Sequence, residues 1–288
     1  MKIKDNKQQE AMKVSIITSC YNRASTIRDA IESVLNQDYA DIEYIVIDAA
    51  SSDGTLDIVR QYSGKITHIV SEKDNGIYEG LNKGIRLATG DVIGLLHSDD
   101  EFYATDTISQ IVHEFESTGS DVVYGNGLFV RTSNKNYVVR DWISGGFESD
   151  SIRHGWLPLH TTVFVKREVM QKVGQYNEEY KISADTDWLI RCLYKNHFRV
   201  SYLNEYIVRM CLGGASTSFR LTRRKWSEDM RIYASHGINQ YVSLTMKVLS
   251  KLPQYAKAKL KNWLKVYKPK RQAAKSDVSA VSEAPSFA

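Results

Sequence analysis

Short aliphatic and β-branched runs alternate with amphipathic helical patterns from Lys13 to about Tyr124. The runs are Val14–Thr18, Tyr44–Ile47, Ile66–Val70, Val92–Leu96 and Val122–Tyr124. After the first run, Ser25 is a predicted N-cap, and apolar residues follow at helical spacing at Ile27, Ala30, Ile31, Val34 and Leu35. Such alternation is typical of a parallel sheet with helices on both faces. We therefore expect an α/β fold with a doubly wound, mostly parallel sheet.

Carboxylates mark the ends of predicted strands in three places. Asp48 ends the second run, Asp99 and Asp100 follow the fourth, and Asp185 and Asp187 come later in the chain. A carboxylate at the carboxyl end of a parallel strand is held by the sheet and faces the crevice where open α/β sheets bind ligands. There it can ligate a cation or act as a base, which favours metal-assisted chemistry on a phosphorylated substrate.

The usual glycine-rich phosphate cradles are absent from the sequence. It contains neither G-x-G-x-x-G nor G-x-x-x-x-G-K-[ST], and no glycine precedes Gly54. The first strand–helix turn therefore cannot bring its backbone against a diphosphate in the usual manner. A divalent metal on Asp99 and Asp100 is the economical alternative, because Mg²⁺ or Mn²⁺ commonly binds one or two carboxylates together with phosphate oxygens.

The composition is that of a globular protein. The chain has 288 residues, of which 42% are hydrophobic, enough for one large α/β domain. No stretch approaches the roughly 18 apolar residues of a membrane-spanning helix, and the polar start lacks the apolar core of a signal peptide. We therefore expect a cytoplasmic protein. Its three cysteines are far apart and form no C-x-x-C, so neither a disulfide framework nor a zinc site is expected.

The net charge of +4 conceals a basic C-terminal segment. Between Met230 and Ser276 there is no Asp or Glu, whereas eleven Lys and Arg residues occur. This asymmetry favours an anionic surface as the partner of the segment, and no general binding of nucleic acid. We expect a helix at the inner face of the plasma membrane, with a helix packed on the body as the alternative. The apolar residues expected to enter the interface are Leu260, Trp263, Leu264 and Tyr267.

Five segments of the chain resemble the inverting nucleotide-sugar glycosyltransferases of family two, which have the GT-A fold. The resemblance runs from about Lys13 to Ser218 and is greatest to bacterial enzymes that build surface polysaccharides such as O-antigen or capsule. The segments are Val14–Thr18 with Tyr21–Arg23, Asp48–Thr55, Glu72–Tyr78 with Asn82–Gly84, Ala88–Asp100, and Ala184–Arg191.

The resemblance implies a nucleotide-sugar donor and a metal ion. Asp48 matches the aspartate that accepts a hydrogen bond from uracil, so UDP is favoured. Asp99 matches the last carboxylate of the D-x-D motif and is expected to ligate Mn²⁺ or Mg²⁺, with help from Asp100. The residues expected at the nucleotide-sugar are Thr18, Tyr21, Arg23, Asp48, Asp74, Gly76, Asn82, Lys83, His97 and Ser98.

The resemblance also implies an acceptor side, for which a lipid-linked oligosaccharide is expected. Asp185 matches the family's general base, which must lie away from the metal because the acceptor hydroxyl attacks opposite the leaving diphosphate. Asp187 and Arg191 are expected to support it. Residues expected to contact the acceptor are His160, Trp188 and Gly214, the last in a loop expected to close after donor binding.

The predicted organisation follows these roles. Residues 1–12 form a polar extension, 13–124 the nucleotide-sugar half, 125–229 the acceptor half, 230–271 the basic helical tail, and 272–288 a disordered end. The region after Tyr124 is expected to be irregular, before a strand at Thr161–Val165 and a helix from Asp185 to Lys195. Two alternatives remain open: a sugar-phosphate nucleotidyltransferase, which would ordinarily need a glycine-rich loop after strand one, and a non-catalytic assembly scaffold.

Overall fold

The computed structural model describes residues 11–212 and 222–267. Gly214 and its loop, and the two chain ends, lie outside these ranges. The strands are β1 Val14–Cys20, β2 Ile42–Asp48, β3 His68–Ser71, β4 Val92–Leu95, β5 Glu101–Phe102, β6 Val122–Arg131, β7 Asn134–Trp142, β8 Phe164–Lys166 and β9 Val200–Cys211. The helices are α1 Ile27–Leu35, α2 Thr55–Arg60, α3 Ile77–Leu87, α4 Thr107–Thr118, α5 Arg167–Val173, α6 Ala184–Leu193, α7 Thr222–Ser235, α8 Gln240–Leu249 and α9 Lys251–Trp263.

The strands form one mixed sheet in the order β3-β2-β1-β4-β8-β6-β9-β5, and β7 pairs with β6. The pairings β2–β3, β1–β2 and β1–β4 are parallel, as predicted. Beyond β4, β6 and β9 pair in parallel, whereas β8, β7 and β5 pair antiparallel to their neighbours. Strands β1 to β3 are added toward one edge of the sheet and β4 lies on the other side of β1, so the strand order reverses between β1 and β4, where open α/β sheets leave a crevice.

Side chains of β1 alternate between two buried clusters, one on each face of the sheet. Ile16 packs in the same cluster as Ile31 of α1 and Ile111 of α4. Ile17 lies in the other cluster with Leu81 of α3. Burying apolar side chains contributes roughly 25 cal/mol per Å². Both faces of the sheet are therefore covered, as the sequence predicts.

The start of α1 differs from the prediction. Thr26 precedes the first helical residue, and neither it nor Ser25 provides a side-chain cap. The backbone N–H groups of Thr26 and Ile27 instead donate to the carbonyl of Arg23. The turn after β1 therefore satisfies the first amides of the helix with its own backbone.

Residues 125–142 are more regular than predicted. Strand β6 continues through this segment and forms a hairpin with β7. The glycines that suggested irregular structure allow close strand contact: a Cβ on Gly125 would lie 2.6 Å from Ile207 Cγ1 and 2.9 Å from the carbonyl oxygen of Glu205. The predicted strand at Thr161–Val165 is a 3-10 helix, His160–Thr162, followed by β8.

The basic helix α9 packs on the hairpin through one face. Ala258 is buried there, Lys261 Nζ lies 2.6 Å from Asp141 Oδ2, and the side chain of Asn262 hydrogen-bonds the backbone of Val138. Tyr267 also donates to Asp141, so its ring faces the body and not a membrane. Within the described ranges, no helix has the length and apolarity needed to cross a bilayer.

Candidate active site

A cleft of about 590 Å³ opens at the carboxyl ends of β1 and β4, where the sheet order switches. Its lining comes from both predicted halves of the chain. The sequence-predicted residues that line it are Tyr21, Arg23, Asp74, Gly76, His97, Ser98, Asp99, His160 and Asp185. The carboxylates expected to face the metal and the acceptor therefore share one cavity.

Asp99 is the cleft carboxylate that suits a cation. Burial raises the pKa of its carboxyl group, and the nearby Arg23 guanidinium only partly offsets this. A cation would favour the ionised form. Among the described residues no group of three or more His, Cys, Asp or Glu side chains is placed to hold a metal. An ion beside Asp99 would need the remaining ligands from water and phosphate, as Mg²⁺ and Mn²⁺ commonly do.

Asp100 does not line the cleft. It is buried, and its Oδ1 accepts from the backbone N–H of Cys211 at 3.2 Å. Its Oδ2 has no hydrogen-bond partner, and burial followed by the charge of Asp99 raises its pKa well above the usual value. The predicted pair of metal carboxylates is therefore split, with Asp99 in the cavity and Asp100 beneath it.

Asp185 reaches the cleft from the first turn of α6, so the prediction that it ends a strand is wrong. Its side chain is 19% exposed, and its Oδ1 accepts from the Tyr78 hydroxyl at 3.2 Å. Burial raises the pKa of its carboxyl group, but His160, Lys225 and Lys247 together bring the pKa below the ordinary value. Asp185 is therefore ionised at neutral pH.

Two histidines extend from Asp185 across the cleft. His160 Nδ1 lies 3.3 Å from Asp185 Oδ2, and His160 Nε2 lies 2.7 Å from His97 Nε2. Burial, and then the neighbouring His160, lower the pKa of His97 to about 3. Burial also lowers the pKa of His160, against the opposing charge of Asp185. Both rings are therefore neutral at pH 7.

The neutral rings have one consistent proton arrangement. With its proton on Nδ1, the nitrogen that faces the Asp185 carboxylate, His160 accepts at Nε2 from the Nε2–H of His97. His97 Nδ1 is then a bare acceptor, and it is buried without a partner. The sequence placed these histidines in separate subsites, 63 residues apart, and the fold brings them into contact.

Two residues that were predicted to bind the nucleotide-sugar lie below the floor of the cleft. Asp48 is fully buried and accepts from Ser71 Oγ at 2.6 Å and from the backbone N–H of Ser51 at 3.1 Å. Thr18 is also fully buried, and its hydroxyl accepts from Tyr44 at 3.2 Å. Neither belongs to the cavity lining, which at this level consists of Ser19, Cys20, Ala49 and Ala50.

Two predicted site residues of α3, Asn82 and Lys83, do not line the cavity. Lys83 pairs with Glu72 at 3.0 Å and with Glu79 at 3.1 Å. Asn82 is buried, and its side-chain amide donates to the backbone carbonyl of Tyr176 and accepts from the backbone N–H of the same residue. Asp74, by contrast, lines the cleft, and its Oδ2 is buried without a partner.

The remaining predicted acceptor-side residues stabilise α6. Trp188 is buried and donates from Nε1 to the carbonyl of Gly174. Asp187 pairs with Arg191 at 2.8 Å and with His236 at 2.9 Å. Tyr78 and His236 were not predicted as site residues, although Tyr78 lies within one of the five segments quoted above.

Comparisons with known proteins identify the family and the fold. The model of the family "Glycosyl transferase family 2" matches residues 15–178. A PGL/p-HBAD biosynthesis glycosyltransferase of Mycobacterium tuberculosis is 31% identical over 182 residues, which cover 62% of this chain and 68% of that protein.

Two solved structures share the fold. TarS 1-349 of S. aureus, in complex with UDP-GlcNAc, is 19% identical with a TM-score of 0.60, covering 89% of this chain and 82% of that chain. The mannosyltransferase PcManGT of Pyrobaculum calidifontis, in complex with GDP-Man and Mn²⁺, is 17% identical with a TM-score of 0.60, covering 89% and 76%. In a longer TarS structure the match covers 39% of that chain.

Proposed function

This chain belongs to glycosyl transferase family 2, and from that premise we propose an inverting, metal-dependent transfer of a sugar from a UDP-sugar to a lipid-linked oligosaccharide. The family and the relatives show that the chain is a glycosyltransferase. They therefore favour this activity over the two alternatives, a nucleotidyltransferase and a non-catalytic scaffold. The observation that carries the proposal is the shared cavity of Asp99 and Asp185. An inverting displacement needs one group for the leaving diphosphate and another for the incoming hydroxyl.

On the acceptor side, Asp185 is the proposed base. As the acceptor oxygen bonds to the anomeric carbon, the bond from that carbon to the diphosphate breaks, and the diphosphate keeps the electron pair. The acceptor proton passes to the Asp185 carboxylate. The Tyr78 hydroxyl hydrogen-bonds that carboxylate and His160 Nδ1 lies 3.3 Å from it, so both contacts restrict its direction.

On the donor side, Asp99 is the residue proposed to hold Mn²⁺ or Mg²⁺. A bound ion would neutralise charge on the leaving diphosphate. Arg23 lies near Asp99 and lines the same cavity, so its guanidinium can approach a phosphate or a base plane. We propose UDP because the structurally similar TarS was solved with UDP and with UDP-GlcNAc.

The outer face of α9 supports the proposal that the protein associates peripherally with the inner leaflet of the membrane. Leu252, Leu260 and Trp263 are 63%, 55% and 78% exposed. Together with Ala256 they recur every three or four residues, so they form one stripe opposite the face that packs on β7. Lysines flank the stripe, as in helices that lie on anionic membranes. A surface of this kind suits an enzyme that uses a lipid-linked acceptor in cell-surface polysaccharide synthesis.

Variants at the two carboxylates test the proposal. Asp185→Asn is expected to lower kcat by ~10²–10⁴-fold, the usual contribution of a general base, while UDP binding with Mn²⁺ is retained. Asp99→Asn is expected to weaken Mn²⁺-dependent UDP binding by at least about tenfold.

Asp100→Asn is the matched control for Asp99→Asn. It keeps an acceptor for the Cys211 amide outside the cavity, so metal-dependent UDP binding should stay at the wild-type level. Calorimetry measures the binding and a transfer assay the rate. Wild-type kcat in Asp185→Asn, or equal UDP binding by both Asp99 and Asp100 variants, would contradict the assigned roles.

A further inference from the structure

Two lysines lie beside the first turn of α6. Lys225 Nζ lies 3.4 Å from Ser183 Oγ, and Lys247 Nζ lies 3.5 Å from Thr186 Oγ1, so these lysines flank Asp185. Lys251 begins α9 directly after α8, which carries Lys247, and Arg140 of β7 donates from Nε to Gln254 Oε1 of α9 at 2.7 Å. These four side chains form the cationic cluster. Burial, and then the charges of Arg140, Lys247 and Lys225, lower the pKa of Lys251 to about 8.

The cluster carries more positive than negative charge. Buried Asp229 pairs with Lys247 at 3.1 Å and with Lys225 at 3.9 Å. Asp185 is the other carboxylate beside Lys225 and Lys247, so the four cations face two carboxylates. Glu228 accepts from the backbone amides of residues 181–183 and from Arg224. Among the described residues no carboxylate lies within ion-pair distance of Lys251. Half-buried like charges disfavour their own ionisation, so this arrangement suits a ligand that brings negative charge.

We infer that the cluster binds a phosphate or diphosphate group of the acceptor, beside Asp185 and apart from the donor diphosphate. The inference rests on the proposed function, because it assigns the chemistry of the acceptor. Diphosphate oxygens accept charge-assisted hydrogen bonds from several ammonium groups at once. Leu252, the next residue after Lys251, begins the exposed apolar stripe of α9. A diphosphate held by the cluster would thus have its lipid chain directed along that stripe.

Calorimetry with the full chain tests this site. Saturating UDP and Mn²⁺ fill the donor cleft, and geranyl diphosphate, inorganic pyrophosphate and geraniol are titrated in turn. We expect geranyl diphosphate to bind and geraniol not to bind. Lys251→Gln should weaken the binding of geranyl diphosphate by about tenfold, because one charge-assisted hydrogen bond is lost. Lys259→Gln, an exposed lysine on the same helix, is the control and should bind as the wild type does.

The possible results separate this inference from the proposed function. Equal affinities of the Lys251 and Lys259 variants, or no diphosphate binding once UDP is saturating, would overturn the acceptor site. If pyrophosphate binds as tightly as geranyl diphosphate does, the result would support the anion site but would show that the lipid chain adds nothing to binding. Failure of the wild type to bind UDP would count against the proposed function instead. Lys251→Arg keeps the charge and is expected to bind, which checks that loss in Lys251→Gln is not misfolding.

Discussion

His160 determines how the Asp185 carboxylate is held. Its Nδ1–H faces Asp185, and its other nitrogen contacts His97. A donor fixed by a second ring has little freedom to turn away from the carboxylate. We therefore regard His160 as a positioning residue for the proposed base.

The pH profile should report this role. Removing the ring in His160→Ala takes away the contact with the Asp185 carboxylate that lowers its pKa against burial, so the pKa of Asp185 rises. A base must be deprotonated to act, so the acidic limb of kcat/KM should move to higher pH. The measurement is kcat/KM from pH 4 to 8, with exposed His113→Ala as control. Superimposable acidic limbs for wild type and His160→Ala would exclude this role.

Strand β4, next to the cleft, packs closely against strand β8. Gly94 of β4 lies against β8, and a Cβ there would be 2.2 Å from Cε1 of Phe164. Phe164 is fully buried, so its ring has little space to move. Strand β4 leads directly into His97, Ser98 and Asp99, which makes this packing part of the support for the site.

Gly94→Ala should therefore destabilise the fold. Overpacking of this kind typically costs about 1–3 kcal/mol, and urea denaturation measures it. Gly146→Ala is the control, because a Cβ at that position meets nothing within 4 Å. If both variants unfold at the same urea concentration, the β4–β8 contact does not restrict the size of the side chain at position 94.

The α9 stripe is the second element whose role can be measured. Trp263→Ser removes its most exposed apolar side chain and should weaken binding to vesicles of anionic lipid by about tenfold, from the roughly 1.5–3 kcal/mol that burying a large side chain contributes. Vesicle sedimentation gives the bound fraction. Trp226→Ser on α7 is the control, since Trp226 is 49% exposed outside the stripe. Equal loss in both variants would show that the stripe has no specific part in binding.

For the whole molecule, the cleft joins segments far apart in sequence, so filling it should stabilise the fold as a unit. UDP with Mn²⁺ at about 100 times Kd should add about 2.7 kcal/mol to the free energy of unfolding. Thermal melts with UDP, GDP and dTDP, each with and without Mn²⁺, compare the nucleotides directly. We expect the largest rise in Tm with UDP plus Mn²⁺. A larger rise with GDP would reject UDP as the donor nucleotide.

The local features of this protein follow from the order of its residues alone. Alternating periods of apolar residues located the strands and helices around β1, β2 and β4, because a side chain's face depends only on its position within its own element. For the same reason Asp99 could be placed at the end of a strand, and Asp185 in the segment that begins α6. The hairpin after Tyr124 was missed because its glycines serve contacts with a strand that comes much later.

Which of these groups meet depends on how the strands and helices assemble. The His97–His160–Asp185 contact, the burial of Asp48 and Asp100 below the cleft, and the lysine cluster beside α6 all join residues from separate elements. Such contacts depend on strand order and on how helices pack, which no local period encodes. Burial in turn sets the ionisation of the groups, because the cost of charge depends on what the fold places around it.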